Sequence, residues 1–473
     1  MSNMSIHQAI TNQRGFYEGG KYTEANKNFW NANSEFEETA SLDRNVMRAR
    51  ARHLAANNAI MNNIDGAILD NVVGTGIRLQ SRTNIKNLDD EIESRFEIWA
   101  TSPALCDSTG RLNFYDMQRV ILQTRMVDGE IYIYKRITKE GLKLQLIEAD
   151  ALDDGGIDQG IEINPDGSVK GYRFKVKDKN GYYSSKTITI ASRHIINYHS
   201  TTRATQYRGV SEYAQAIVDI KNFSAFQTAT VQSALAKANI AYTVEGDMSI
   251  NNNGLDKTSR IKEVNGIAVH YLKIGEKINK LAGDSATADY KDFSESTIRL
   301  IATARRISFE LAFRDYSRVN FASSRASLAQ DNKRFDVDQK SLVNYILNDI
   351  YYTWMLTEIM RGTIKIPIAK FLSDHIPYTR KRWVFPPKTF VDPLKEVNAI
   401  EKEIALNMTT ETDVCAMRGN DFRDVIARKV EEQEIKDELG YEEEMVVEDK
   451  GDVKEVRELL MRVHDLLSEL EER

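Results

Sequence analysis

The chain has 473 residues, 64 Lys and Arg against 70 Asp and Glu, and a formal net charge of −6. With 41% hydrophobic and 28% charged residues it reads as roughly three domain-sized units of soluble globular protein. No apolar run approaches the roughly 20 residues of a membrane helix, the polar start has no secretory pattern, and two cysteines, Cys106 and Cys415, exclude a disulfide framework or a four-cysteine zinc site.

Glycine and proline punctuate the chain. Neither occurs in residues 21–65, 210–245 or 284–361, stretches that favour helices. Residues 35–71 predict a helix with a stripe through Val46, Leu54, Met61, Ile64, Ile68 and Val72, ended by Gly74. The period then changes to that of strands in Glu130–Ile137, Leu142–Ile147, Val169–Val176, Tyr182–Ile190 and His194–His199. Turns at Asp166-Gly167 and Asn180-Gly181 make this an antiparallel β region. An Ala-rich helix runs from Gly209 to about Lys237, with Ile217, Ile220, Val231 and Leu235 at helical spacing. A short α/β module follows at 239–283, with strands at Ile240–Glu245 and Ile267–Leu272 around a polar Asn251–Gly254 loop. Phe293, Thr297, Leu300, Ile301, Ala304, Ile307 and Leu311 predict a return helix, so the module sits at the tip of an antiparallel helix pair.

Arg314–Ser324 has no sustained apolar face and reads as a polar loop. In residues 325–361 the rows Leu342, Ile346, Ile350, Trp354 and Val343, Leu347, Tyr351, Met355 lie side by side, the wide stripe of a helix buried between other elements. Five of the seven prolines fall between Pro367 and Pro393, which predicts extended, turning chain. Leu394–Leu439 and Lys454–Glu471 are helical and charged. Residues 431–473 carry 17 acidic and 6 basic side chains, leaving a net of +5 on the remaining 430 residues. The fold class is α+β, with a mildly basic body and an acidic tail.

The chemistry of an enzyme is missing. There is no Walker loop, and Gly74-Thr75-Gly76 lacks the third glycine of a dinucleotide loop and follows a helix, so it reads as a helix cap and turn. Gly209–Tyr213 fails the nucleophile-elbow pattern at Tyr213. Asp128 and Glu130 lack a Lys two residues on, where Tyr132 stands, and read as a turn before a strand. His194 and His199 fall on opposite faces of a strand. No catalytic residue, cofactor or metal site is expected.

One basic stretch stands out. Residues 299–334 hold Arg299, Arg305, Arg306, Arg314, Arg318, Arg325, Lys333 and Arg334 against Glu310, Asp315 and Asp331. Two readings stay open: transient contact with a polyanion, or ion pairs between helices or subunits.

The order of features resembles a lambda-family phage portal protein from about Phe16 to Phe422. The motifs are RARARHLAANN (48–58), NVVGTGI (71–77), Trp99, Cys106-Asp107 and Gly110, MVDGEIY (126–132), QLIEADAL (145–152), RGVS (208–211) and LKIGE (272–276). They continue with DYSRVNFASSRA (315–326), Tyr352–Trp354, Trp383–Pro386 and VDPLKE (391–396).

The resemblance implies an N-terminal wing, helical then β-rich, over residues 1–208. It implies a first stem helix at 209–237, a clip at 238–291 and a second stem helix at 292–312. A tunnel loop at 313–324, a long wing helix with a return strand at 325–394, and a helical crown with the acidic tail at 395–473 complete the fold. Its function would be a twelve-fold ring at one capsid vertex through which double-stranded DNA is packaged and ejected. Partners would be further copies of the chain, DNA held transiently, the terminase large subunit, a head–tail connector or adaptor protein, and the major capsid and scaffolding proteins, with no membrane. Assembly would occur in the host cytoplasm. The DNA channel would be lined by Arg314, Asp315, Tyr316, Ser317, Arg318, Val319, Asn320 and Phe321, flanked by Arg299, Arg305, Arg306 and Arg325. A phage DNA-processing enzyme or a capsid or scaffolding component are the alternatives. A net charge of −6 then argues only against tight DNA binding, because a channel through which DNA slides should not be strongly basic.

Overall fold

The computed structural model describes residues 36–153, 159–239, 242–245, 261–264, 267–272, 288–317, 320–388 and 393–439. It is mixed α+β, mostly helical, with small and mainly antiparallel sheets. The single helix expected over 35–71 is two, α1 (Phe36–Asn57) and α2 (Ala59–Val72). Asn58 breaks it: extended backbone lets its side chain accept from the Met61 N–H at 3.0 Å, capping α2. Met61, Ile64, Ile68 and Val72 are buried as expected, whereas Val46 on α1 is exposed. Gly74 lies in the left-handed region just past α2, so Gly74-Thr75-Gly76 is a cap and turn.

After β1 (Arg78–Ser81) come α3 (Lys86–Thr101) and α4 (Phe114–Asp128), then β2 (Glu130–Thr138) and β3 (Gly141–Glu148). The region continues with β4 (Ile161–Ile163), β5 (Val169–Lys177), β6 (Tyr183–Ala191) and β7 (Ile195–His199). The expected strands are present, and Gly167 and Gly181 take the positive φ their turns require. β4 was too short for its alternation to show. The region forms two separate three-stranded sheets, in the orders β3-β2-β7 and β4-β5-β6, antiparallel throughout.

The Ala-rich helix expected from Gly209, α5, spans Ile217–Asn239, starting eight residues later than expected because Ser211–Ala216 form turns. Ile217 and Ile220 are buried but Val231 and Leu235 are exposed, so the apolar stripe is covered only at its base. The described residues of the module expected at 239–283 form β8 (Tyr242–Glu245), β9 (Ile261–Val264) and β10 (Ile267–Leu272). β10 pairs in parallel with β8 and antiparallel with β9. β9 was not anticipated, and the Asn251–Gly254 loop lies outside the described residues.

The expected helix 292–312 is two pieces, α6 (Ala288–Ala304) and α7 (Phe309–Phe313). α6 runs back along α5, with Phe226 stacked on Tyr290 and tilted against Phe293 at centroid distances of 5.7 and 4.3 Å. α8 (Phe321–Leu342) continues through a π-helical turn, Val343–Leu347, into α9 (Asn348–Met360). Helix therefore starts at Phe321, inside the stretch read as loop. Of the two apolar rows, all but the half-buried Val343 are buried.

The proline-rich segment contains a short helix, α10 (Ile368–Ser373), and β11 (Lys381–Val384), which returns to pair with β1. Here Phe96, Trp99, Phe114, Tyr351, Trp354 and Trp383 make one aromatic cluster; Phe96 meets Trp354 edge-on at 5.0 Å. The Trp99 indole N–H donates to the Leu142 carbonyl and that of Trp383 to Asn348 Oδ1. Three tryptophans far apart in sequence thus serve one core.

The C-terminal helices are α11 (Pro393–Ala405), α12 (Glu411–Met417) and α13 (Phe422–Glu438); the expected helix 454–471 lies outside the described residues. The start of α13 meets α3 across a cleft lined by Asp89, Asp90, Glu93, Asp421 and Asp424 with Arg82, Lys86 and Arg423. Burial, reinforced by Asp421, Asp424 and Asp89, pushes the Glu93 carboxyl up to about 7, against a hydrogen bond from the Ser81 N–H. A carboxyl whose folded pKa is raised holds its proton in the folded protein and loses it when released. Docking of α13 should therefore weaken as pH rises from about 4.5 to about 7. Hydrogen exchange in 422–438, corrected for the intrinsic rate, should be faster at pH 8 than at pH 6, and Glu93→Gln should abolish the difference.

Candidate functional site

The loop between α7 and α8 is built from its two ends. Ser308 caps α7: its hydroxyl accepts from the Leu311 N–H, while its own N–H and hydroxyl donate to buried Asp331 on α8 at 2.8 and 2.6 Å. At the other end of α7 the Asn63 amide on α2 donates to the Leu311 and Ala312 carbonyls, at 3.0 and 2.8 Å. Arg314 then turns the chain with φ +55°, and Asn320 caps α8 by accepting from the Ser323 N–H. Both ends are thus fixed by caps.

Of the residues expected along this loop, Arg314, Tyr316, Ser317 and Asn320 are exposed and Asp315 is half-buried, accepting from the Ser317 N–H. Phe321 belongs to the first turn of α8, and Arg318 and Val319 lie outside the described residues. The flanking arginines separate. Arg306 is exposed, with φ +56°. Arg299 is exposed too, but pairs with Glu295 at 2.8 Å and lies over the Phe309 ring at 4.4 Å. Arg325 pairs with Glu396 at 3.0 Å.

Arg305 does not belong to this surface. Only 1% exposed, it points inward to Asp65 on α2 at 2.9 Å and to Glu212 at 3.2 Å, over the Tyr213 ring. Arg334, another member of the basic stretch, is likewise buried, pairing with Glu212 at 2.9 Å and Asp338 at 3.3 Å and donating to the Arg305 carbonyl. Arg125 of α4 completes the set, 3.0 Å from Glu212 and 3.1 Å from Asp338. Three arginines meet three carboxylates where α2, α4, the turn before α5, the end of α6 and α8 come together, so the group is formally neutral. Burial works against the Glu212 charge, yet Arg125, Arg305 and Arg334 together hold its carboxyl down at about 2. Asp65 moves the other way: burial raises it, although Arg305 and the Tyr213 hydroxyl oppose the shift.

A second charged junction gathers several of the motifs. Arg208 grips fully buried Glu130 with Nε and Nη2, at 2.9 and 2.6 Å, and the Gly209 N–H donates to the same carboxylate. Arg48 lies 3.6 Å from Glu130 and 3.2 Å from Asp150, and Arg52 binds Asp128 and Asp150. The arginine-rich helix, MVDGEIY, QLIEADAL and RGVS therefore meet in one structural joint. Asp128 ends α4, Gly129 caps it, and Lys135 is occupied by Asp349, so these residues form no nuclease centre. Among the described residues no group of three or more His, Cys, Asp or Glu is placed to hold a metal, and no helix is long and apolar enough to cross a membrane.

Sequence reasoning missed these internal charges. The available signal was an ionisable residue inside an apolar stripe: Asp65 beside Ile64 and Ile68, and Arg125 between Leu122 and Met126.

The family model for "Phage portal protein, lambda family" matches residues 23–339. The chain belongs to the lambda family of phage portal proteins. Portal proteins of this family are structural, not catalytic, components of the virion. Portal protein B of Escherichia phage lambda is 22% identical, with 88% of this chain and 89% of that one aligned. The portal protein of Escherichia phage N15 is 22% identical over the same shares. The neck of an empty GTA particle computed with C6 symmetry has a chain that is 10% identical with a TM-score of 0.43, covering 80% of this portal chain and 94% of its own. The neck of a native GTA particle computed with C12 symmetry gives 11% and 0.41.

Proposed function

We propose that this portal chain assembles into a ring, twelve-fold in the particle, whose channel passes double-stranded DNA during packaging and ejection. α5 and α6 would be the stem and β8–β10 the clip that docks the terminase and later the connector proteins. The loop from Arg314 to Asn320 would form the constriction. α8–α9 with the β region would be the wing and α11–α13 the crown. The observation that carries the reading is the stem pair itself. Val218 and Val231 on α5 and Leu300 on α6 are 62%, 58% and 52% exposed in a single chain, as is proper for helices that pack against neighbours. Beside the stem base opens a cleft of about 610 Å³ whose walls include Arg306, Val337 and Tyr345, a concave seat for an adjoining subunit.

The charge sum supports sliding over holding. With Arg305 and Arg334 neutralised inside, the outward cations near the loop are few, and counterion release on contact with phosphate is correspondingly small. Negative-stain microscopy of the purified protein should show radially symmetric rings with a central hole; monomers or closed shells would overturn the reading. Arg314→Glu with Arg318→Glu should leave ring formation intact and impair DNA packaging or retention, read as packaged genome length. Normal genome length in that variant would remove the loop from the mechanism.

A further inference from the structure

Residues 169–193, the β5–β6 hairpin with the turn that follows it, hold five Lys and two Arg against one acid, Asp178. That net of +6 exceeds the +5 of the first 430 residues taken together. Unlike Arg305 and Arg334, these cations are not drawn inside: Lys170, Lys177, Lys179, Lys186 and Arg193 are exposed, and Arg173 and Lys175 are half-buried. β6 is an edge strand, paired with β5 alone, and seven of its nine residues are exposed. Its base is anchored by Tyr172 and Phe174, buried on the inner face of β5, while Tyr182 in the turn is 75% exposed.

Acids on the neighbouring elements are already engaged. Asp153 pairs with Arg173 at 2.8 Å and Glu162 with Lys170 at 3.7 Å, while Glu148 and Asp150 pair with Arg52. The Asp178 carboxylate accepts from the Asn180 and Tyr182 N–H groups, both at 2.9 Å, and is spent on the turn. Lys177 lies over the Tyr183 ring at 5.0 Å, and Arg193 donates to His194. Among the described residues no carboxylate pairs with Lys177, Lys179, Lys186 or Arg193. Lysines on an edge strand commonly keep other strands from pairing with it. That accounts for Lys186 alone, because Lys170, Arg173, Lys175 and Lys177 stand on β5, the central strand, which has no edge to guard. Lys and Ser are also scarce where proteins meet proteins. With the exposed hydroxyls of Ser185 and Thr187 and the unpaired N–H groups of the β6 edge, they form instead a donor set suited to phosphate oxygens.

We propose that the β5–β6 hairpin is a binding surface for the phosphate backbone of duplex DNA, separate from the channel and blind to sequence. Lys177, Lys179 and Lys186 are its main contacts, with Arg193 at its base. Four uncompensated cations on one hairpin release about four counterions on contact, so this surface holds DNA where the nearly neutral loop lets it slide.

Closed circular duplex DNA is the probe, because a circle has no end to thread through a ring. Its binding requires no ring, so the result is independent of whether the chain assembles as proposed above. The full-length protein should bind the circle with log K falling against log salt at a slope of about −3.6, as for four neutralised phosphates. Lys177→Glu with Lys179→Glu and Lys186→Glu should weaken binding by about tenfold or more at low salt and make the slope shallower. The matching variant, Lys177→Arg with Lys179→Arg and Lys186→Arg, keeps the charge and should bind like the parent. Unchanged affinity in the Glu variant would reduce these lysines to guards of a strand edge. Polyglutamate bound as tightly as DNA would make an acidic protein surface the partner. Either result overturns the proposal, as would a parent protein that leaves the circle unbound at low salt.

Discussion

Replacing Glu212 with Gln should destabilise the protein by about 3–5 kcal/mol, the cost of removing one partner from a buried ion pair while the other charges stay behind. Among the described residues Glu212 is the one carboxylate in contact with all three of Arg125, Arg305 and Arg334, at 3.0, 3.2 and 2.9 Å. Gln keeps the shape and loses the charge, so Asp65 and Asp338 alone would face three buried guanidinium groups. The measurement is the denaturant midpoint of the purified protein, followed by tyrosine and tryptophan fluorescence. A loss below about 1 kcal/mol, the range of an exposed pair, would show that the junction is not the internal joint described. The pH dependence carries the same sign. With its carboxyl held at about 2, against 4.5 in the unfolded chain, Glu212 contributes stability that is complete above pH 4.5 and lost as pH falls towards 2. The Gln variant should therefore lose part of the acid sensitivity of the parent. Because this joint fastens the loop's neighbours, the same variant should reduce ring yield, an effect distinct from that of reversing the exposed Arg314.

The regular elements were legible because their periods are local. Alternation identified the longer strands between residues 130 and 199, and paired apolar rows identified the helix that ends at Met360. The errors fall where a tertiary partner decides. Nothing in the sequence from Arg305 to Ser308 breaks a helix by composition, but inward-facing Arg305, left-handed Arg306 and the Ser308–Asp331 cap break it in three dimensions. At Asn58 and Asn320 the signal was available: each is a good N-cap residue ahead of a helical pattern, and each marks the true start of its helix. The burial of the residues named along 299–334 was not legible in the sequence. A count of arginines along 299–334 cannot tell which side of a helix faces the core, and the two turned inward, Arg305 and Arg334, gave much of the apparent basic patch. The motifs fared better than the count: Glu130 and Arg208, 78 residues apart, prove to be one contact.

That contact sets the second large effect, Gly209→Ala. A Cβ on Gly209 would lie 2.1 Å from the Gly129 carbonyl oxygen and 2.6 Å from its carbon, and one on Gly129 would lie 2.4 Å from the Val210 carbonyl carbon. All of these obstacles are backbone, so no flexible side chain can swing aside. The two glycines are pressed together because Arg208 and the Gly209 N–H both reach the Glu130 carboxylate, which is possible only if the RGVS segment lies directly against the end of α4. Gly209→Ala should force the segments apart, cost about 1–3 kcal/mol or more as overpacking, and loosen the buried Arg208–Glu130 pair with them. Gly66→Ala on α2 is the control. No atom lies within 4 Å of its Cβ position and its φ is that of an ordinary helix residue, so helix propensity alone should stabilise the protein by about 0.5–1 kcal/mol. Opposite shifts of the two denaturation midpoints are the expected result. A neutral Gly209→Ala would mean that the two motifs are not in backbone contact, and that their co-occurrence in the sequence has some cause other than this joint.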